Sequence, residues 1–348
     1  MRKRLFILIG ILAVLGGVGY LLLQANTDRL LAWQVEKGVA ANLDAQKVDE
    51  DRFEVIFCGT GSPQYQEDRG QSCLAVVAAG KLFLFDAGQG AAQGLQSAGA
   101  PHLKLDSIYF THFHSDHMSG LGDVLHNSWL YGRKTAVEVV GPPGTEETLA
   151  GVQQAFAEDL KERHDILGDE YDGSAGAMGT ARNVDVPGNQ LLTVYDKDGV
   201  KISAFRVDHP KWDHAYGYRI DYRGQSVVIS GDTRYSPNLV KHSKSVDMLI
   251  HEALNVKMMK TIAKVLRESG SDTVDPDRME LITNTHTATH DLAKIATEAN
   301  VKKLVVTHLI PPIPANRLVE NVFIEGMSDL YDGEIIVARD DMRITLAE

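Results

Sequence analysis

An apolar run directly follows three basic residues at the start of the chain. Arg2, Lys3 and Arg4 precede positions 5–23, nineteen residues without a charged side chain. A helix of that length is roughly 28 Å long, close to the thickness of the hydrocarbon core of a bilayer. We therefore predict a membrane anchor or signal segment over residues 1–25. An uncleaved anchor is favoured because the run is longer than the usual apolar core of a signal peptide.

After this run, apolar positions recur at helical spacing among polar ones, which predicts an amphipathic helical stem over residues 26–51. Residues 52–348 then have the length and apolar content of one large domain. Two stretches in it, 151–190 and 255–283, have the character of insertions. Such segments either form the walls of a pocket or are solvent-exposed loops without a role in the site. The pattern of residues does not distinguish these two alternatives. The apolar positions of the stem are Leu30, Leu31, Val35, Val39 and Leu43.

Three short apolar runs and one alternating segment in the large domain have the pattern of strands. Each ends just before a residue that can bind a metal ion: His112, His209, Asp232 and His308 follow them in chain order. Loops gather at strand ends, so we expect these side chains to form one site. The runs are 107–110, 205–207, 227–229 and 303–306.

The densest group of potential ligands is Thr-His-Phe-His-Ser-Asp-His at positions 111–117. Imidazole nitrogens and carboxylate oxygens hold zinc, manganese or ferrous iron near neutral pH. Residues two apart in an extended stretch point the same way, so His112 and His114 can bind one ion together. If the chain then turns into a helix, Asp116 and His117 face a second ion nearby.

The balance of charge argues against a polyanionic partner. The formal net charge is −12, with 47 acidic and 35 basic residues. A protein that neutralises many phosphates normally has a basic surface or arm. Here the segment after Pro143 is acidic, and the sequence contains no arm rich in Lys and Arg. We therefore expect a small-molecule substrate and do not expect nucleic acid as a partner.

The two cysteines, Cys58 and Cys73, flank the first two predicted strands. A hairpin could bring them close enough for a disulfide in an oxidising compartment. Neither belongs to a Cys-x-x-Cys pair, and neither lies in the metal-binding motifs. Two separate buried thiols are the favoured alternative.

Taken in order, the motifs of residues 52–346 resemble the metallo-β-lactamase-fold superfamily, and within it the RNase Z and arylsulfatase-like branch. The fold that this resemblance implies is α/β (α+β), a four-layer αββα sandwich with metals at one edge, here with an N-terminal transmembrane helix. The motifs are Gly59-Thr60-Gly61-Ser62-Pro63, Phe85-Asp86-Ala87-Gly88, the His112 cluster, Gly141-Pro142-Pro143-Gly144, His209 with Gly217-Tyr218-Arg219, Gly231-Asp232-Thr233, His251-Glu252-Ala253, His286-Thr287 and Thr307-His308.

The resemblance also implies a centre of two metal ions, with zinc as the first choice and manganese or iron as alternatives. A hydroxide that bridges the two ions would attack the substrate. Asp116 is counted both as a ligand and as a catalytic residue. The implied ligands are His112, His114 and His209 for the first ion, Asp116, His117 and His308 for the second, and Asp232 between them.

Glu252 and His286 match the carboxylate–imidazole pair of that branch. There the imidazole faces the leaving group as an acid, and the carboxylate fixes its tautomer and raises its pKa. The alternative is that both residues merely cap secondary structure. Asp86 either orients a ligand or occupies a strand-to-turn junction. His214 either lines the pocket or is an exposed loop residue.

Together these inferences predict a dinuclear metal-dependent hydrolase of phosphate or sulfate esters. We expect it at the inner membrane, with its catalytic domain in the periplasm or outside the cell, or else exported. A homodimer remains open. Three alternatives also remain: a lactonase or β-lactamase-like hydrolase, an RNase Z-type endonuclease that processes tRNA 3′ ends, and a non-catalytic binding protein on the same fold.

Overall fold

The computed structural model describes residues 2–168, 177–270 and 275–346. Much of the glycine-rich stretch within the first predicted insertion therefore lies outside the described residues. The chain separates into two compact units, Met1–Lys47 and Val48–Glu348.

The first unit consists of two helices, α1 over Arg2–Ala25 and α2 over Thr27–Ala45. Among the described residues, no helix is both long enough and apolar enough to cross a membrane. The predicted transmembrane helix over residues 1–25 is therefore not supported. The side chains of residues 1–11 lie outside the described part of the chain, so the apolar run behind that prediction is only partly represented in it.

The second unit contains two seven-stranded sheets. Nearly every residue of the central strands is buried, because both faces of each sheet are covered. This explains why those strands are continuous apolar runs in the sequence. In spatial order, the first sheet consists of β14 (Arg343–Thr345), β1 (Glu54–Gly59), β2 (Cys73–Ala78), β3 (Lys81–Phe85), β4 (Leu105–Tyr109), β5 (Glu138–Gly141) and β6 (Thr180–Asn183). The second consists of β13 (Glu334–Val337), β12 (Lys303–Ile310), β11 (Met248–Leu254), β10 (Gln225–Ile229), β9 (Tyr216–Tyr222), β8 (Val200–Arg206) and β7 (Leu192–Lys197).

Helices cover the outer face of each sheet. On the first sheet they are α3 (Ala91–Ser97), α4 (Ser115–Met118), α5 (Leu121–Leu130), α6 (Thr145–Ala155) and α7 (Ala157–Leu167). Those that follow in the chain are α8 (Pro237–His242), α9 (Val256–Ser269), α10 (Pro276–Ile282), α11 (Thr289–Glu298) and α12 (Arg317–Phe323).

Among the described residues, the three largest apolar clusters fill the spaces between these layers. The first lies between the sheets and joins Phe57 and Phe85 to Tyr218 and Ile250. The second packs the first sheet against α3 and α5, and the third packs the second sheet against α8, α11 and α12. The arrangement is the predicted αββα sandwich.

Cys58 and Cys73 form a disulfide, with their Cα atoms 5.0 Å apart. The favoured alternative of two separate thiols is therefore wrong. β1 and β2 pair in antiparallel fashion with Gly59 opposite Cys73, and the register shifts between Phe57 and Gly59. An irregularity of this kind re-aims a side chain, which places the Cys58 sulfur beside its partner.

Candidate metal centre

The seven predicted ligands meet where strands of both sheets end. His112 and His114 follow β4, Asp116 and His117 lie in the short helix α4, and the other three come from the second sheet. His308 is a special case because it lies within β12, where the pairing with β11 skips one residue and φ is +46°. That bulge turns the imidazole toward the other ligands. The remaining ligands are His209 after β8 and Asp232 after β10.

A first group of ligand atoms surrounds His114. Nδ1 of His114 lies 2.9 Å from Nε2 of His112 and 3.4 Å from Nε2 of His209. Nε2 of His112 lies 3.8 Å from Oδ2 of Asp232. One ligand atom from each of these four residues lies within 4.8 Å of the others, which is close enough for a single ion.

A second group consists of Asp116, His117 and His308, with ligand atoms again within 4.8 Å of one another. Oδ2 of Asp116 lies 3.1 Å from Nε2 of His308 and 3.4 Å from Nε2 of His117. Asp232 reaches this group too, at 3.5 Å from Nε2 of His117 and 3.6 Å from Nε2 of His308. Its carboxylate therefore lies between the two groups, as expected for a bridging ligand.

The protonation of most of the cluster suits cation binding. Burial lowers the pKa of His112 well below its ordinary value and that of His209 to about 4. Burial alone would raise the pKa of Asp232, but His308 and His117 outweigh it and hold that pKa well below the ordinary value. Neutral imidazoles around an ionised carboxylate are the form that binds metal.

His117 differs from the other imidazoles. Burial alone would lower its pKa, but Asp232 and then Asp86 outweigh burial and raise the pKa well above the ordinary value. Its Nε2 is buried without a hydrogen-bond partner among the described residues and faces the carboxylates of Asp116 and Asp232. These surroundings favour positive charge, which a metal ion supplies as well as a proton does. The residues therefore fit a cation.

Asp86 orients the second group without belonging to it. Its Oδ2 accepts from Nδ1 of His117 at 2.8 Å and from the Thr111 hydroxyl at 2.8 Å, while Oδ1 accepts from the Thr111 backbone N–H. The bond to Nδ1 fixes the tautomer that turns Nε2 of His117 toward the cluster. Asp86 is 3% exposed and has φ +59°. Of the two interpretations left open by the sequence, the structure supports the orienting role.

Trp212 is a neighbour of the site that the sequence analysis missed. Its indole N–H donates to Nε2 of His114 at 2.9 Å, and its ring packs edge-on against His112 and His114. An indole N–H can only donate, so in this arrangement the ring hydrogen of His114 is on Nδ1. A cation bound at Nδ1 would replace that hydrogen. Proximity to His209, three positions earlier, is the one sequence signal that could have identified it.

Glu252 and His286 form the expected pair beside the cluster. Nδ1 of His286 lies 3.4 Å from Oε2 of Glu252 and 4.0 Å from Oδ2 of Asp232. Burial alone lowers the pKa of His286, but Glu252 and then Asp232 outweigh burial and raise it to about 9. Oε1 of Glu252 accepts from the Thr287 backbone N–H at 2.7 Å, which anchors the loop that carries His286. An imidazole of raised pKa is thereby held next to the predicted metal ligands.

His214 lies outside both groups of ligand atoms. Its Nδ1 is 3.2 Å from a guanidinium nitrogen of Arg206 and 3.4 Å from Oδ1 of Asp185. These contacts tie His214 to the surface of the second sheet.

Comparison with known proteins places this geometry among related folds. Residues 53–267 match the family described as Anti-Pycsar protein Apyc1. Ribonuclease Z of Mycobacterium marinum is 31% identical over 268 residues, which cover 76% of this chain and 89% of the relative. The crystal structure of human tRNase Z, short form, aligns with a TM-score of 0.56 at 22% identity, covering 85% of this chain and 100% of that one. The metallo-β-lactamase-fold protein YhfI of Bacillus subtilis aligns with a TM-score of 0.57 at 18% identity, over 85% of this chain and 100% of that one.

Proposed function

Because the chain belongs to the Anti-Pycsar Apyc1 family and to the RNase Z branch of the metallo-β-lactamase-fold metallohydrolases, we propose that it hydrolyses phosphodiester bonds at a two-metal centre. The observation that carries this proposal is the carboxylate of Asp232 between two groups of ligand atoms, with the Glu252–His286 pair beside them. An acid next to a two-metal site suits the departure of an alkoxide, which a phosphodiester releases.

The distances between ligand atoms support the following roles. His112, His114 and His209 would hold one divalent cation, zinc by preference. Asp116, His117 and His308 would hold the other, and Asp232 would contact both. When bound, two such cations supply a water of lowered pKa and neutralise charge that develops on the ester oxygens.

The chain's own residues complete the reaction. The carboxylate of Glu252 lies beside His286 and raises the pKa of that imidazole, so His286 can protonate the leaving oxygen. Glu252 keeps the imidazole charged and turned toward the cluster. Asp86 keeps His117 in the tautomer that directs Nε2 at the second cation.

A substrate panel tests this proposal against the carbonyl and sulfate alternatives. Purified zinc-loaded protein is assayed with bis(p-nitrophenyl) phosphate, p-nitrophenyl sulfate, a homoserine lactone and a cephalosporin. We expect the phosphodiester to be hydrolysed fastest, and Asp232→Asn to abolish that activity because it weakens both cation sites. Preference for the lactone or the cephalosporin would overturn the proposal.

RNA cleavage is a second candidate, and a specific observation favours it. A relative that is 31% identical over most of both chains is named Ribonuclease Z. This name argues for a nucleic acid substrate, whereas the net charge argued against one. Incubation with a precursor tRNA carrying a labelled 3′ trailer tests this candidate. Release of the intact trailer would support it, and an uncleaved precursor in a preparation active on the small diester would count against it.

We also propose that the large domain functions in an oxidising compartment outside the cytoplasm. The Cys58–Cys73 disulfide supports this location, because such bonds persist mainly in oxidising compartments. Protease treatment of intact spheroplasts, with a cytoplasmic protein as the control, tests it. Digestion of the large domain in intact spheroplasts is expected, and digestion only after lysis would contradict the proposal.

A further inference from the structure

A cavity of about 550 Å³ lies against the elements that carry Glu252 and His286. Asn255 enters its wall three residues after Glu252, and Ala288 enters it two residues after His286. The backbone joins the two sides, since the N–H of Leu254 donates to the carbonyl of Thr287 at 2.8 Å. Cavities of roughly 300–1,000 Å³ are the usual size for small ligands. We call this cavity the α9–α11 groove.

The groove is basic although the chain as a whole is acidic. Lys257, Lys260 and Lys264 all line it, at positions i, i+3 and i+7 of α9, and all three are exposed. Among the described residues of its wall, Glu325 is the one carboxylate, and it lies 3.2 Å from Lys257. Lys260 forms no ion pair within the described ranges. The groove therefore presents a net positive surface to solvent.

Two helices begin in this wall, which adds to the positive potential. Asn255 caps α9 by accepting from the backbone N–H of Met258, and α11 begins after Ala288 without a side-chain cap. The first-turn N–H groups of a helix and its dipole attract anions. Asp291 in the first turn of α11 is paired with Lys294, and no side chain caps the first-turn N–H groups of that helix. The two helix starts add to the positive potential of the lysines, but they would not define a binding site by themselves.

We propose that the α9–α11 groove binds phosphate groups of a nucleotide chain that continues beyond the scissile diester. The inference rests on the proposed phosphodiesterase function and adds to it a place for the neighbouring nucleotides. A phosphate chain that enters the metal centre past His286 meets Ala288 and Thr289 and then the lysines of α9. The net charge of −12 repels polyanions over most of the surface. The positive groove therefore directs the nucleotide chain to one side of the site.

The test measures binding of a fluorescent single-stranded oligoribonucleotide, with phosphorothioate linkages that resist hydrolysis, to the full, zinc-loaded chain by anisotropy, over a range of salt concentrations. The groove variant is Lys257→Gln/Lys260→Gln/Lys264→Gln. The matched control removes three exposed lysines elsewhere on the domain, Lys104→Gln/Lys134→Gln/Lys201→Gln. Hydrolysis of bis(p-nitrophenyl) phosphate by the wild-type protein is measured in parallel and reports on the proposed function separately.

We expect the groove variant to bind the oligonucleotide about tenfold more weakly at low salt. The slope of the logarithm of the binding constant against the logarithm of the salt concentration should become shallower by about 2, as the loss of three phosphate contacts on a single strand predicts. The control should behave as the wild type does. If both variants lost the same amount of binding affinity, the loss would reflect the removal of positive charge in general. The proposal that the groove binds phosphate groups would then be wrong. Groove-dependent binding without hydrolysis of the small diester would contradict the proposed function and leave the groove standing.

Discussion

At the scale of single residues, Asp86 is a buried carboxylate that hydrogen-bonds next to the proposed ligands without belonging to them. It accepts hydrogen bonds from His117 and from both donors of Thr111, and Thr111 in turn lies 3.0 Å from Nδ1 of His112. One buried carboxylate therefore orients ligands of both groups. Its position after β3 was evident from the sequence, but its partners were not, because they depend on the fold that brings β3 beside β4.

Asp86→Asn tests this orienting role. Asparagine tolerates a positive φ, but its amide NH₂ would face at least one of the three donors. We expect zinc affinity to fall by about 10–100-fold while the fold is retained. Competition with a chelator measures the affinity. Asp198→Asn, which removes an exposed carboxylate paired with Lys81, is the control, and equal affinities in the two variants would contradict the role.

Glu252→Gln tests the acid assigned to His286. The carboxylate raises the pKa of that imidazole, so its loss should lower the pKa from about 9. Since the acid acts in its protonated form, the alkaline limb of kcat/KM for a diester with a poor leaving group should move to lower pH. A diester with a good leaving group needs little protonation and should change less.

His286→Ala completes the same experiment. This variant should lower the rate of hydrolysis about 10²–10⁴-fold for the diester with a poor leaving group. The rate for the diester with a good leaving group should fall much less. The surface histidine variant His214→Ala is the control. A loss in His286→Ala that is equal across leaving groups would assign the residue a structural role.

At the scale of elements, tight turns set the distance between ligands from different strands. Gly231 precedes Asp232 with φ +60°, and a Cβ there would lie 2.6 Å from the carbonyl oxygen of Tyr216 and 2.9 Å from Cβ of Thr111. The turn after β10 therefore packs directly on the strand end that leads to His112. A larger residue would push the two apart.

Gly231→Ala tests this packing, with Gly224→Ala as a matched control. Gly224 also has a positive φ, +77°, but a Cβ there would meet nothing within 4 Å. Both variants incur the backbone cost of roughly 1 kcal/mol, and only Gly231→Ala adds the clash. We expect Gly231→Ala to bind fewer than two zinc ions per chain and the control to bind two. Full loading of Gly231→Ala would refute the argument.

Elements were predicted from sequence with uneven success. The strands that lead to His112, His209, Asp232 and His308 were evident because strands covered on both faces are continuous apolar runs. The bulge at His308 was not visible, since it depends on pairing with β11. The disulfide was misjudged for the same reason: an irregular register between β1 and β2, which no local pattern encodes, brings Cys58 to Cys73.

At the scale of the whole molecule, net charge proved a poor guide to local charge. The sum of −12 and the acidic segment after Pro143 suggested a surface hostile to phosphate chains. In sequence, Lys257, Lys260 and Lys264 look like the polar side of an ordinary helix. Only the packing of α9 beside the start of α11 places them in one groove next to the elements that carry Glu252 and His286.

The order of motifs along the chain was, by contrast, a good guide to the assembly of the site. The seven proposed ligands come from four separate segments, and they converge because two sheets stack with their strand ends together. The resemblance supplied that convergence. Residue spacing alone explains only His112 and His114, two positions apart, together with Asp116 and His117 in the helix that follows.

Anomalous diffraction at the zinc absorption edge, on crystals of the metal-loaded protein, tests the two-metal centre most directly. We predict two peaks about 3.5–4 Å apart. One should lie among His112, His114 and His209, and the other between Asp116 and His308, with Asp232 contacting both. A single peak, or peaks only at other positions, would contradict the two-metal centre and the hydrolytic chemistry built on it.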